Sequence, residues 1–290
     1  MAIVLHPTTQ AHIQRFVSAP GHALLLSGPA GSGKTFVAQQ LAAQLLGIAP
    51  EKLDSYPYAQ HVTPVKQTIS IEAVRTLQHF LELKTIGDRP IRRIVIIEHA
   101  HTLSTEAQNA LLKTLEEPPE DTVIILTAHN PRALLTTIRS RLQEIVIHPP
   151  ESEQLAAHFS PKAASPQAYV SQAMLSGGLP GLLDALLSEA KDHPLAVGID
   201  QAKLLLKADT FERLAQIDAL AKQKDSAITL CSALIRIAQA GLEQAAKKNT
   251  TPQLRNWQRI LKTAYQAQTD LESNLNAKLT LTHMMLSLES

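Results

Sequence analysis

An aliphatic run, Ala23 to Leu26, leads directly into SGPAGSGKT, and no other stretch of the 290 residues narrows the possible folds as sharply. Gly28, Gly33, Lys34 and Thr35 stand there in the spacing G-x-x-x-x-G-K-T. Glycines let the backbone wrap tightly enough for successive N–H groups to point inward at a polyphosphate. The lysine then reaches the terminal phosphates and the threonine hydroxyl faces a magnesium ion. A helix beginning at the lysine adds its positive dipole end. The pattern therefore predicts a strand, a loop and a helix in succession. Its candidate binding segment is Gly28, Pro29, Ala30, Gly31, Ser32, Gly33, Lys34 and Thr35, and its expected ligand is ATP with Mg2+.

The surrounding sequence agrees with that architecture. RIVII (Arg93 to Ile97), TVIILT (Thr122 to Thr127) and EIVIH (Glu144 to His148) are aliphatic without polar alternation. Strands covered on both faces of a parallel sheet read this way. Helical patterns lie between them. Lys34 to Leu46 ends at Gly47, a left-handed cap; Ser70 opens a helix with Ile71, Val74, Leu77 and Leu81 on one stripe. Ser104 opens TEAQNALLKTLEE, with Ala107, Ala110, Leu111 and Leu115 on one face, and Pro118-Pro119 ends it. Beyond Pro149-Pro150 only helical patterns remain, punctuated by SPKAASPQ, SGGLPG, KDHP and KKNTTPQ. The fold class is α/β: a P-loop domain with a parallel sheet over 1–150, a helical lid over 151–207 and an all-α domain over 208–290.

Composition removes several function classes. A formal net charge of +1 provides no global field toward nucleic acid or anionic membrane, so any DNA contact is local or shared. The one cysteine, Cys231, lies in the apolar run AITLCSALIRIA, where it reads as a core thiol; no cysteine-based zinc site is possible and no zinc is expected. The N-terminus lacks the pattern of a signal peptide and no apolar run reaches about 18 residues, which predicts a cytoplasmic protein with no membrane contact.

Hydrolysis needs more than a phosphate cradle. In many P-loop ATPases a second strand of aliphatics ends in two acids, one holding magnesium and one polarising the attacking water. Here Ile94 to Ile97 is followed by Glu98, His99, Ala100 and His101. Glu98 is the candidate metal-side carboxylate, together with Thr35. His99 stands where the second acid belongs. The favoured reading is a turn with polar caps at the sheet's edge; a histidine base and a two-histidine metal site are alternatives, the second lacking a convincing third ligand.

With those residues in view, NALLKTLEEPP (Asn109 to Pro119) resembles the near-signature helix of bacterial clamp-loader ATPases, the gamma/tau and delta-prime subunits of DNA polymerase III. ISIEAVRTLQHFLEL, IIEHAHTLS and SGGLPGLLDAL are similar to delta-prime segments. The resemblance covers the first two-thirds of the chain. It implies an AAA+ domain, a lid and a C-terminal collar domain within a ring of subunits. The expected partners are the gamma/tau and delta subunits and, through the complex, the sliding clamp and primed DNA. Within Ser-Arg-Leu at 140–142 it also implies that Arg141 is an arginine finger serving a neighbouring subunit's ATP, with Arg139 as runner-up.

Three departures from the family pattern stand out. The usual four-cysteine zinc module is replaced by LDSYPYAQHVTPVKQT. Leu182 and Leu183 occupy the places of the lid arginine, and LTAHNP offers Thr127, His129 or Asn130 rather than a clear phosphate-sensing side chain. Transition-state contacts are thus missing while ground-state contacts are complete, which predicts nucleotide binding with little intrinsic turnover. The alternatives are a gamma/tau-type motor ATPase and an AAA+ adaptor in another DNA process. Two basic clusters, Arg89-Arg92-Arg93 and Lys247-Lys248-Arg255-Arg259-Lys262, read as solvated faces or interface salt bridges more readily than as DNA contacts.

Overall fold

Aliphatic strands with no polar side need a helical layer on each face, and the chain supplies both. A computed structural model of the protein describes residues 4–65, 67–189, 193–273 and 275–288, so Lys191 and Asp192 of the KDHP turn lie outside the described residues. The chain divides into two compact units, Met1–Glu151 and Ser152–Ser290.

In the first unit β1 (Ala23–Ser27), β2 (Ala59–Val62), β3 (Arg93–Ile97), β4 (Thr122–Ala128) and β5 (Gln143–Val146) form one sheet in the order β2-β3-β4-β1-β5. All pairings are parallel. Helices α1 (Pro7–Ser18), α2 (Lys34–Leu46), α3 (Ile71–Glu82), α4 (Thr105–Glu116) and the single turn α5 (Thr136–Arg139) accompany it. Alternation along β3 divides the core: Ile94 and Ile96 face Phe16, Val37 and Leu41 of α1 and α2. Val95 and Ile97 face Val74, Leu77 and Leu111 of α3 and α4.

The crossover that inserts β4 between β1 and β3 brings three strand ends together at the carboxyl edge of the sheet. That edge is where open α/β sheets bind ligands. At the far border α1 is fastened to β5 through the buried Thr9. Its hydroxyl donates to the Val146 carbonyl at 3.2 Å and accepts from the His148 N–H at 3.1 Å.

Most expected elements appear within two residues of their predicted bounds. The strand expected over Glu144–His148 runs from Gln143 to Val146, and Gly47 caps α2 at φ 62°. Ser104 caps α4 by accepting from the Ala107 N–H at 3.2 Å. Ser70 sits at the N-cap of α3 without a side-chain capping bond, which corrects the capping role expected for it.

Among its described residues the second unit holds only helices: α6 (Ser152–Phe159), α7 (Pro166–Ser176), α8 (Pro180–Leu187), α9 (Pro194–Lys207), α10 (Thr210–Ala215), α11 (Ile217–Ala221), α12 (Lys224–Lys247), α13 (Thr251–Glu272) and α14 (Ala277–Ser287). One core runs through it, from Leu182 of α8 and Ile199 of α9 to Leu234 of α12 and Met284 of α14. Cys231 is buried in that core, its sulfur 3.7 Å from that of Met284, and burial pushes its thiol pKa up to about 12. It is an inert packing group. Gly241 lets α12 approach α13 so closely that an added Cβ would lie 2.4 Å from the Trp257 ring.

Candidate functional site

The loop after β1 has the geometry its glycines require. Gly28, Gly31 and Gly33 have φ of 151°, 81° and 82°. A Cβ on Gly28 would stand 2.8 Å from the Ile147 carbonyl oxygen, so that position has neither the conformational nor the steric room for a side chain. The first bond within α2 runs from the Val37 N–H to the Gly33 carbonyl at 2.9 Å. Among the described residues, the N–H groups of Lys34, Thr35 and Phe36 therefore have no main-chain acceptor, and they open toward the loop. Such a nest of donors at a helix N-terminus suits a polyphosphate.

Lys34 is buried over the loop. Its ammonium donates to the carbonyls of Gly28 and Pro29 at 2.8 and 2.7 Å and to the Ser32 hydroxyl at 3.3 Å. Burial lowers its pKa to about 8. The Thr35 hydroxyl donates to the Glu98 carboxylate at 3.3 Å, so the two oxygens suited to magnesium already face each other across β1 and β3. The donor set therefore fits a magnesium-bound polyphosphate: carboxylate and hydroxyl for the ion, ammonium and amides for the phosphates. A neighbouring His61 holds the Glu98 pKa below the usual carboxylate range; its Nδ1 lies 3.7 Å from the carboxylate.

His61 belongs to β2, and sequence reasoning missed both. The four residues AQHV form an edge strand, half-buried and without an aliphatic run to announce it. Nothing in the sequence couples His61 to Glu98, because the contact depends on β2 pairing beside β3.

At the place of the second acid, His99 has a left-handed backbone, φ 51°, and its N–H donates to the Thr127 hydroxyl at 3.1 Å. Thr127 is thereby committed to joining the ends of β3 and β4. Burial lowers the His99 pKa, against the opposing pull of Glu98. His101 and His129 lie beside it, with ring centroids 3.8 Å apart and pKa values brought down to about 3 and about 4, chiefly by burial. His129, considered from sequence only as a phosphate-sensing position, is thus part of a histidine cluster. Asn130 is exposed at the start of the following turn.

Arg141 follows α5, away from these strand ends in sequence, and is held by its own chain. Its guanidinium pairs with Glu116 at 2.7 Å and donates to the Thr137 carbonyl at 2.7 Å. Exposed pairs of this kind contribute roughly 0–1 kcal/mol, so a competing anion can take the guanidinium. On α4, about two turns before Glu116, Gln108 is buried and hydrogen-bonded through both ends of its amide. Its amide donates to the carbonyls of Leu103 and Ala133 at 3.2 Å each, and its oxygen accepts from the Leu135 N–H at 2.7 Å.

Of the first basic cluster Arg93 alone is withdrawn from solvent, while Arg89 is exposed and Arg92 half-buried. Arg93 is 2% exposed, lies 5.4 Å over the Phe80 ring and donates to the carbonyls of Leu81 and Leu83 at the end of α3. Arg92 pairs with Asp121 at 3.3 Å, and Arg89 donates to the Leu46 carbonyl. In the second cluster, Lys247 pairs with Glu243 at 2.9 Å and Arg259 donates to Asn256 at 2.8 Å. Leu182 and Leu183 are fully buried in α8, where they serve the core.

A parallel sheet with a phosphate loop at its carboxyl edge, followed by an all-helical region, defines a P-loop protein of AAA+-like fold. The crystal structure of a DNA polymerase III gamma subunit-related protein from Thermotoga maritima shares that fold, with a TM-score of 0.56 at 20% identity over 97% of this chain and 98% of that one. The family model described as "DNA polymerase III, delta subunit" matches residues 12–151. The DNA polymerase III subunit delta' of Pseudomonas aeruginosa is 32% identical over 207 residues, 64% of this chain and 62% of its own length. That of Escherichia coli is 29% identical over 201 residues, 63% of this chain and 59% of its own length. The chain therefore spans less than two thirds of these relatives. Over these segments the chain is similar to the delta' subunits of DNA polymerase III. Among the described residues no helix is long and apolar enough to cross a membrane.

Proposed function

We propose that the chain works as a delta-prime subunit of a clamp loader. In this reading it binds ATP with Mg2+, hydrolyses little alone, and joins gamma/tau and delta subunits in placing the sliding clamp on primed DNA. The approach of Thr35 to Glu98 at 3.3 Å beneath a glycine-bounded loop is the observation that carries the binding reading. Lys34 and the amides opening α2 would hold the phosphates, and Thr35 with Glu98 the ion. Magnesium would neutralise phosphate charge there. Turnover is weak on this reading because His99, in place of a carboxylate, has a lowered pKa, and a general base works best with its pKa near the working pH. Arg141 would act in trans, leaving Glu116 for a neighbour's nucleotide. The segments 151–207 and 208–290 would serve as lid and collar, and the protein would work in the cytoplasm.

Calorimetric titration of the chain with Mg-ATP tests the binding half, with Lys34→Ala as the control expected to abolish the signal. ATPase of the lone chain should stay at background and rise only on mixing with the other loader subunits. Absence of nucleotide binding by the native chain, or brisk turnover by it alone, refutes the proposal.

A further inference from the structure

His99, His101 and His129 converge although two belong to the turn after β3 and the third follows β4. Each offers a ring nitrogen, and these atoms all lie within 4.8 Å of one another. We propose that the three imidazoles form a binding site for a divalent transition ion of the zinc type, with a fourth position open to solvent. This departs from the expectation that the chain holds no zinc. That expectation rested on cysteine and on the lack of a third histidine, and His129 is that third ligand.

The fold holds the ligand set in place independently of any ion. β4 pairs with β3 in register from Arg93–Thr122 to Ile97–Leu126, which puts the residues just past both strands side by side. The His99 N–H bond to Thr127 closes the gap between them at 3.1 Å. The His99 carbonyl accepts from both the N–H and the hydroxyl of Thr102 at 2.8 Å, fixing the turn that carries His101.

The ring nitrogens are otherwise unused. Among the described residues none of the three rings makes a hydrogen bond or ion pair, and His101 Nδ1 is buried with no partner. A buried polar atom left unmatched calls for an account, and coordination supplies one. Zinc–nitrogen bonds of about 2.0–2.1 Å put tetrahedral ligands roughly 3.4 Å apart. The nitrogens need therefore close by up to about 1.4 Å, which the exposed rings of His99 and His129 have room to do.

An all-imidazole set selects zinc, nickel or copper over magnesium, which takes oxygen ligands, so this site is chemically distinct from the Thr35–Glu98 pair. Lys34 opposes added positive charge here and Glu98, next to His99, offsets it.

The test uses the untagged full chain, stripped with chelator and titrated with Zn2+ against a chromophoric competitor, with Co2+ as a visible-absorption probe. One Zn2+ per chain is expected, with Co2+ giving the intense bands of a four-coordinate site. His101→Ala and His129→Ala should each weaken Zn2+ by more than the roughly 10–100-fold that loss of an outer partner costs. His101→Asn and His129→Asn provide the same comparison if the alanine variants fold poorly, as judged by circular dichroism without metal. Lys34→Ala should bind Zn2+ at least as tightly, which keeps this result separate from the nucleotide reading. Failure of the native chain to bind one equivalent overturns the proposal. So does undiminished binding by the His101→Ala/His129→Ala double variant, since that would place the ion on others of the 12 histidines.

Discussion

Replacing Arg93 by methionine keeps a long, flexible side chain in place and removes only its guanidinium. Two main-chain carbonyls at the end of α3, those of Leu81 and Leu83, then lose their donor. Hydrogen bonds to a charged group contribute roughly 1.5–3 kcal/mol each. The stacking on Phe80 adds about 0.5–2 kcal/mol. Against this, the variant no longer strips a cation of water, which returns several kcal/mol. The net loss of stability should be about 2–4 kcal/mol. In urea, at slopes of about 1–3 kcal/mol/M, the midpoint of the first unit's transition should fall by at least about 0.7 M. Amide exchange should quicken along α3 and β3, while exchange in α12 and α13 stays unchanged. A midpoint displaced by less than about 0.5 kcal/mol-equivalent, the range of ordinary surface substitutions, refutes the reasoning. Lost affinity for primed DNA at unaltered stability would also refute it, since it would place the guanidinium outside.

Gly28→Ala should both destabilise the first unit and abolish Mg-ATP binding, because the residue needs φ 151° and its Cβ would meet the Ile147 carbonyl at 2.8 Å; thermal unfolding and calorimetry read the two effects. Lys34 titrates near 8 in the folded chain and near 10.4 unfolded, so between those values the unfolded chain holds more protons and this group's contribution to stability rises with pH. Over the same interval nucleotide affinity should fall, about tenfold by pH 9, because the phosphates require the ammonium; binding titrations in buffers of different ionisation enthalpy should detect proton uptake. Arg141→Ala should cost no more than about 1 kcal/mol of stability, leave the chain's own nucleotide binding intact, and lower the ATPase of the assembled complex; an unchanged complex rate removes the finger.

How legible these features were depended on whether the determining contact was local. β1, β3, β4 and β5 could be read because burial on both faces leaves an aliphatic run in the sequence. β2 could not, since an edge strand of four half-buried residues needs no such run, and His61 was lost with it. The phosphate loop was fully readable because its chemistry is confined to eight consecutive residues. The histidine cluster was only half readable: His99 and His101 are two apart, while His129 joins them through the order of strands, which no window of sequence contains. Arg93 read as surface charge because it stands with Arg89 and Arg92, which do keep contact with solvent. Their acceptors, from Leu46 to Asp121, are distant in sequence. Ser70 shows the converse limit, a residue at the expected place without the expected bond.

The Gln108 amide, hydrogen-bonded through both ends, has a mechanical consequence. One helix carries both that amide, clasping the Ala133–Leu135 segment, and, about two turns further on, Glu116, which pairs with Arg141. A shift of α4 would therefore be felt at two places at once, firmly at the Ala133–Leu135 segment and more loosely at the guanidinium, whose exposed ion pair can yield.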